Sequence, residues 1–207
     1  MSFLSKFFTK DLLPVLFVWM FGIIPASADS LSSQIVRKGD VVIFNSAISE
    51  QSYERLVTLY NDKPFSAIAI NSDGGEYDAG MKIANFVYKR NIGVYVPKYC
   101  ASACTFVFFG APINRRDIAP DALLGLHNVS LAVMGDKKVD LSKVTVPATE
   151  AIELAQKSVV RSGMMIAFYS ANGIPSDVLL EVAQSFGRKV VNIQRGDLIR
   201  WGSIELE

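Results

Sequence analysis

Histidine, cysteine and tryptophan are scarce in this sequence: one, two and two among 207 residues. One His and two Cys cannot build a zinc-finger array, and two Cys cannot staple a disulfide-dense miniprotein. Neither charge sign is in excess, since 21 Lys plus Arg face 20 Asp plus Glu. No net field is therefore available for gripping nucleic acid. Half of the residues are hydrophobic and 11% are aromatic, which excludes a disordered or collagen-like chain. The length suits one ordinary domain, and neither a metal nor an organic cofactor is expected.

Only one long apolar run is present. Lys6 and Lys10 form a short basic segment, Leu12 to Pro25 is almost wholly apolar, and Ala26-Ser27-Ala28 follows. A basic segment, an apolar stretch and a small-x-small site are the marks of a secretory signal peptide. The run of 14 residues is short for a bilayer span of ~20, although an uncleaved membrane anchor stays open as the alternative. The expected organisation is a signal peptide over 1–28 and one domain over 29–207. Cleavage before Asp29 removes two Lys and one Asp and leaves acidic and basic side chains equal in number. The mature product is expected to be periplasmic or secreted, with no stable membrane span.

The mature chain alternates strand-like and helix-like segments. Val41–Ile48, Phe65–Ile70, Ile92–Val96, Leu123–Leu126 and Val190–Ile193 are short runs of strand character. Glu50–Tyr60, with Ser49 as N-cap and Asn61-Asp62 as stop, has helical spacing, as do Tyr77–Lys89, Pro147–Ser170 and Pro175–Phe186. Ala101–Phe109 is apolar enough for a buried helix. This order predicts an α/β single domain: a spiral of βαβ units with a parallel sheet and helices packed outside. Ser130 to Val146 is polar and reads as an insertion.

Sites in parallel α/β sheets lie beyond the carboxyl ends of strands. Two segments fall there. Asn71-Ser72-Asp73-Gly74-Gly75 carries paired glycines that allow close backbone approach. Cys100-Ala101-Ser102-Ala103-Cys104 is a small-residue turn opening a helix, where Ser102 would sit beside free N–H groups. Acyl transfer needs a nucleophile, a base and oxyanion donors, and His127 is the only histidine available as base. Each signal alone has a bland reading as a turn, a packed serine or a core histidine; their joint layout does not.

The segments INSDGG, AGMKIANFV, CASACTFVFFGA and APDALLGLHN together resemble the proteolytic subunit of the Clp protease and its relatives in the crotonase-like superfamily. The resemblance runs from about Val41 to His127 and points to an exported branch. It implies Ser102 as nucleophile, His127 as catalytic base 25 residues later, and an oxyanion hole formed by the N–H groups of Gly75 and Ala103. It also implies a homo-oligomer acting on peptides or unfolded segments. A glycine-turn Pro expected of the family is Asp73 here. The triad acid has no match, because Arg188-Lys189-Val190 stands in its neighbourhood. Gln184, Asn192 and Gln194 are candidate neutral orienters of His127, and Asp177, Glu181 and Asp73 are candidate acids. Lys137, Lys138 and Lys143 offer a Ser-Lys alternative.

Cys100 and Cys104 flank Ser102, and both a disulfide across the turn and two buried small residues remain open. Arg115-Arg116 reads either as a carboxylate anchor or as a solvated turn or ion pair. Two functions are carried forward: an exported serine hydrolase, chiefly a peptidase, and a non-catalytic binding or assembly module with the same fold. Intact mass of protein recovered from its natural compartment is expected to lack the first 28 residues; a full-length, membrane-bound species would overturn the cleavage site.

Overall fold

A capping box starts the first helix. Ser49 Oγ accepts the Ser52 N–H at 3.2 Å, and Ser52 Oγ accepts the Ser49 N–H at 2.9 Å, satisfying two donors at the helix entry. In the computed structural model, residues 34–129, 147–185 and 189–205 are described. The expected signal peptide, the polar stretch 130–146 and Arg188 lie outside the described residues. The elements are β1 (Gln34–Lys38), β2 (Val41–Asn45), α1 (Glu50–Asp62), β3 (Ala67–Asn71), α2 (Tyr77–Lys89), β4 (Gly93–Val96) and β5 (Tyr99–Ala101). They continue as α3 (Ala103–Gly110), β6 (Arg116–Ile118), β7 (Leu123–Leu126), α4 (Ala148–Ala171), α5 (Ser176–Gln184), β8 (Val191–Gln194) and α6 (Arg195–Arg200).

The expected α/β architecture of βαβ units is present. One sheet runs β1-β2-β3-β4-β6, parallel except for β1, and a second runs β5-β7-β8, with β5 parallel and β8 antiparallel to β7. Two features depart from a purely parallel sheet. Strand β1 folds back on β2 through Gly39 at φ 63, a hairpin that the sequence reading did not separate. Strands β5 and β6 have three residues each, too few for a period of two to register.

Helix α3 lies inside the core. All eight of its residues are buried, as expected of a helix apolar on every side. It packs on α2 through small contacts: a Cβ on Gly80 would lie 2.8 Å from Ala103 O, and one on Gly110 would lie 2.7 Å from Ala84 Cα. Small residues at both crossings let the two helices meet nearly backbone to backbone, so the start of α3 is held firmly against the start of α2.

Arg116 ties the C-terminal segment to this core. Its side chain is neither a carboxylate anchor nor part of a solvated turn, because the residue is buried and donates only to neutral oxygens. Nε donates to Ser203 O at 2.7 Å, and Nη1 donates to Phe109 O at 2.9 Å and to Asn172 Oδ1 at 2.6 Å. Burial lowers its pKa to about 10, so the guanidinium stays charged at neutral pH. Arg116→Met should lower unfolding stability by about 3 kcal/mol, because the carbonyls it serves lose a charged donor. Urea denaturation monitored by circular dichroism measures this.

Candidate active site

The glycine turn after β3 and the elbow before α3 touch through main chain. Gly74 has φ 100, and a Cβ there would lie 2.5 Å from Ser102 Cβ and 2.7 Å from Ala101 O. Gly75 has φ 149, and a Cβ there would lie 2.1 Å from Ile48 O. Only glycine fits either position. The turn is pinned from both sides: Ile48 N–H donates to Gly74 O at 2.8 Å, Glu76 N–H to Ile48 O at 2.9 Å, and Ala101 N–H to Ser72 O at 2.9 Å.

Ser102 sits between β5 and α3 at φ 54, ψ −130. That region is sparsely populated for a residue with a side chain and costs about 1–3 kcal/mol. Several contacts hold it. Its N–H donates to Gly125 O at 2.8 Å, and its carbonyl accepts from Thr105 N at 2.9 Å and from Thr105 Oγ1 at 2.6 Å. Thr105 Oγ1 is in turn 2.6 Å from the phenol oxygen of the buried Tyr169. Burial pushes the Tyr169 pKa up, against the pull of the Thr105 hydrogen bond, so the phenol keeps its proton. Ser102 Oγ makes no capping bond. The N–H groups of Gly75 and Ala103 have no acceptor among the described residues.

Cys100 and Cys104 are joined by a disulfide with a Cα–Cα distance of 5.3 Å, and both residues are fully buried. A ring this short contributes about 2 kcal/mol in the chain-entropy account.

His127 follows the last residue of β7 and is half-buried. Its Nδ1 lies 2.6 Å from Asn128 O. A carbonyl oxygen only accepts, so Nδ1 carries the hydrogen, and in the neutral ring the lone pair is then on Nε2. Asn128 is itself anchored: Nδ2 donates to Ala183 O at 2.8 Å, Oδ1 accepts from Ser162 Oγ at 2.7 Å, and its N–H donates to Ser185 Oγ at 2.9 Å. Asn128 is the residue that the sequence reading missed. The only signal for it was adjacency to the single histidine.

Ser102, His127, Gly75 and Ala103 line one cavity of about 320 Å³. Its apolar wall comes from Phe106, Leu154, Met165 and Tyr169, and its polar rim from Glu76, Asp78, Lys157 and Arg161. Arg161 is paired with Asp78 and lies over the Tyr77 ring at 5.2 Å. The candidate orienters lie elsewhere. Gln184, Asn192 and Gln194 are exposed, and the Gln194 N–H donates to Asp197 Oδ2 at 3.0 Å. Among the candidate acids, Asp177 is exposed and Glu181 is 3.8 Å from Lys189. Asp73 is exposed and close enough to Tyr99 to add to the upward pKa shift that burial gives that phenol. None of the six lines the cavity. Lys137, Lys138 and Lys143 lie outside the described residues.

The family model described as Clp protease matches residues 26–160. No curated protein matches the chain.

The close approach of turn and elbow has a measurable consequence. Gly74→Ala forces a Cβ against Ser102 and Ala101 in a positive-φ position, and should destabilise the fold by about 3 kcal/mol or more. Gly163→Ala, where a Cβ meets nothing within 4 Å, should be neutral or slightly stabilising. Paired thermal melts of the two variants test this contrast.

Proposed function

The chain belongs to the Clp protease family and is in general terms a peptidase-type hydrolase; from that premise we propose that Ser102 is its nucleophile and His127 its general base. The observation that carries the reading is the convergence of Ser102, His127 and two unspent N–H groups on one cavity. His127 Nε2 takes the Ser102 Oγ proton as Oγ attacks the scissile carbonyl. The resulting oxyanion is received by the N–H groups of Gly75 and Ala103, which give up no acceptor among the described residues. His127 then delivers the proton to the leaving amine, and water repeats the sequence on the acyl-enzyme.

The partner of the outer His127 nitrogen is a neutral carbonyl. Such a partner fixes the tautomer but does little for the imidazolium that forms. Replacing a triad carboxylate by a neutral group can cost ~10⁴ in turnover. The proposed enzyme is therefore a Ser102–His127 dyad, slow and favouring good leaving groups. Its substrates are peptides or unstructured segments, since a small open cavity accepts an extended chain and not a folded surface. Export to a periplasm or beyond is supported by the Ala26-Ser27-Ala28 site and by the Cys100–Cys104 bond, because disulfides persist in oxidising compartments. Assembly into a homo-oligomer is supported by Ile152, Val159, Val160 and Met164, which leave an apolar stretch of α4 more than half exposed. The neutral histidine partner also favours a second reading, a non-catalytic binding module.

Fluorophosphonate labelling separates the two. Wild-type protein is expected to label at Ser102, Ser102→Ala to remain unlabelled with an unchanged melting temperature, and His127→Ala to label about 100-fold more slowly. Equal labelling of wild type and Ser102→Ala would end the nucleophile assignment. A folded protein that does not label at all favours the binding module.

A further inference from the structure

We propose that the Cys100–Cys104 bond is a positioning element of the Ser102 elbow, so that the site reaches its full rate only when the two sulfurs are joined. The proposal rests on Ser102 being the nucleophile. The bond closes a ring of five residues, Cys100-Ala101-Ser102-Ala103-Cys104, with the nucleophile at its centre and one oxyanion donor inside it. Cys100 belongs to β5, held beside Leu124 of β7, and Cys104 is the second residue of α3. The disulfide therefore spans the two arms of the elbow directly.

The other contacts do a different job. Ala101 N–H to Ser72 O and Ser102 N–H to Gly125 O fasten the strand arm to its neighbours, while Thr105 fastens the Ser102 carbonyl to the first turn of α3. The pivot between the arms is Ser102 itself, at φ 54 and ψ −130, where a residue with a Cβ is under strain. Without the bond, only the hydrogen bonds at each arm set the separation of the Cα atoms of residues 100 and 104. The disulfide keeps them at 5.3 Å, within the narrow range such a bond permits. The strained rotation at Ser102, held on either side by Gly125 and Thr105, is thereby braced a third time by a covalent link across the elbow.

Neither cysteine needs the bond in order to be buried. A reduced Cys packs as a small apolar side chain, and both positions are fully enclosed. Losing the bond thus releases the elbow without emptying the core. The bond forms by thiol–disulfide exchange with a partner disulfide. Cys100 and Cys104 give up two protons and two electrons as one S–S bond forms, and the partner disulfide becomes a dithiol. A chain held in a reducing compartment reacts slowly and gains its full rate upon oxidation.

The test uses full-length mature protein refolded either in a glutathione redox buffer or in a phosphine reductant, together with C100A/C104A. Fluorophosphonate labelling rate, circular dichroism and melting temperature are read on each. Oxidised protein should label, and reduced protein should label about tenfold more slowly with its fold retained. Reoxidation should restore the rate. C100A/C104A should match the reduced protein and ignore the redox buffer. Equal Ser102-dependent labelling in the oxidised, reduced and C100A/C104A forms would overturn the positioning role and leave the nucleophile intact. Loss of the fold on reduction would overturn it too, by making the bond a stability element. Labelling of oxidised Ser102→Ala at the wild-type rate would instead defeat the nucleophile reading.

Discussion

A Cβ on Gly74 would lie 2.5 Å from that of Ser102, and one on Gly75 would lie 2.1 Å from the Ile48 carbonyl. Three chain segments, following β2, β3 and β5, therefore meet with no side chain on the glycine turn between them. That contact is the constraint from which the cavity follows. It brings Gly75 and Ala103 to one cavity, and their N–H groups have no acceptor among the described residues. Any residue other than glycine in the turn would push the wall outward, and the elbow could not remain against it. The small residues at the α2–α3 crossing extend the same logic into the core. Gly80 meets Ala103 O, so the first residue of α3 is buttressed from behind as well as faced from the front.

A second layer carries this geometry to the rest of the chain. Tyr169, near the end of α4, reaches Thr105 Oγ1, which reaches the Ser102 carbonyl. Since burial keeps the phenol protonated, Tyr169 can donate to Thr105 while Thr105 donates onward to Ser102, so each hydroxyl has a satisfied role. Arg116 acts at the other end of α3. By donating to Phe109 O, Asn172 Oδ1 and Ser203 O it joins the exit of α3, the end of α4 and the segment after α6. The C-terminal end of α4 is thus coupled to both ends of α3, and Asn128, the residue beside His127, holds α4 through Ser162.

Much of this was legible in the sequence, for identifiable reasons. Tyr77–Lys89 and Leu123–Leu126 were read with their observed bounds because helical spacing in one and an unbroken apolar run in the other dominate their windows. The Ser49 cap was legible because a hydroxyl before a helical run has few other uses. The strands Tyr99–Ala101 and Arg116–Ile118 were not, since three residues owe their state to a neighbouring strand and not to their own pattern. Ser102 and His127 were nominated by residue type, place in the chain and family resemblance, Gly75 and Ala103 by the resemblance alone, and the four do share a cavity. The partner of the histidine was not legible. Amide side chains were sought near β8, but β7–β8 pairing turns Asn192 and Gln194 outward, and a main-chain carbonyl leaves no trace in a sequence. Arg116 was misread as well, because an Arg pair beside a turn gives no hint that one guanidinium will be enclosed by carbonyls.

The carbonyl at His127 Nδ1 sets what the proposed dyad can do. A triad carboxylate performs two tasks: it holds the imidazole in one tautomer, and it offsets the charge the ring acquires. Asn128 O performs the first, and Asn128 is held by α4 and α5 firmly enough to do so. It contributes only a dipole to the second. The acids that line the cavity are committed elsewhere: Asp78 pairs with Arg161, and Glu76 Oε2 accepts the Glu50 N–H at 3.3 Å. Proton abstraction from Ser102 then becomes the step that suffers, because it creates an imidazolium in a half-buried place whose ring partner is a neutral carbonyl. Oxyanion stabilisation by Gly75 and Ala103 is untouched by that deficit. A site of this kind relies on its main-chain donors, which is why the geometry of the glycine turn and of the elbow matters more to it than the strength of its base.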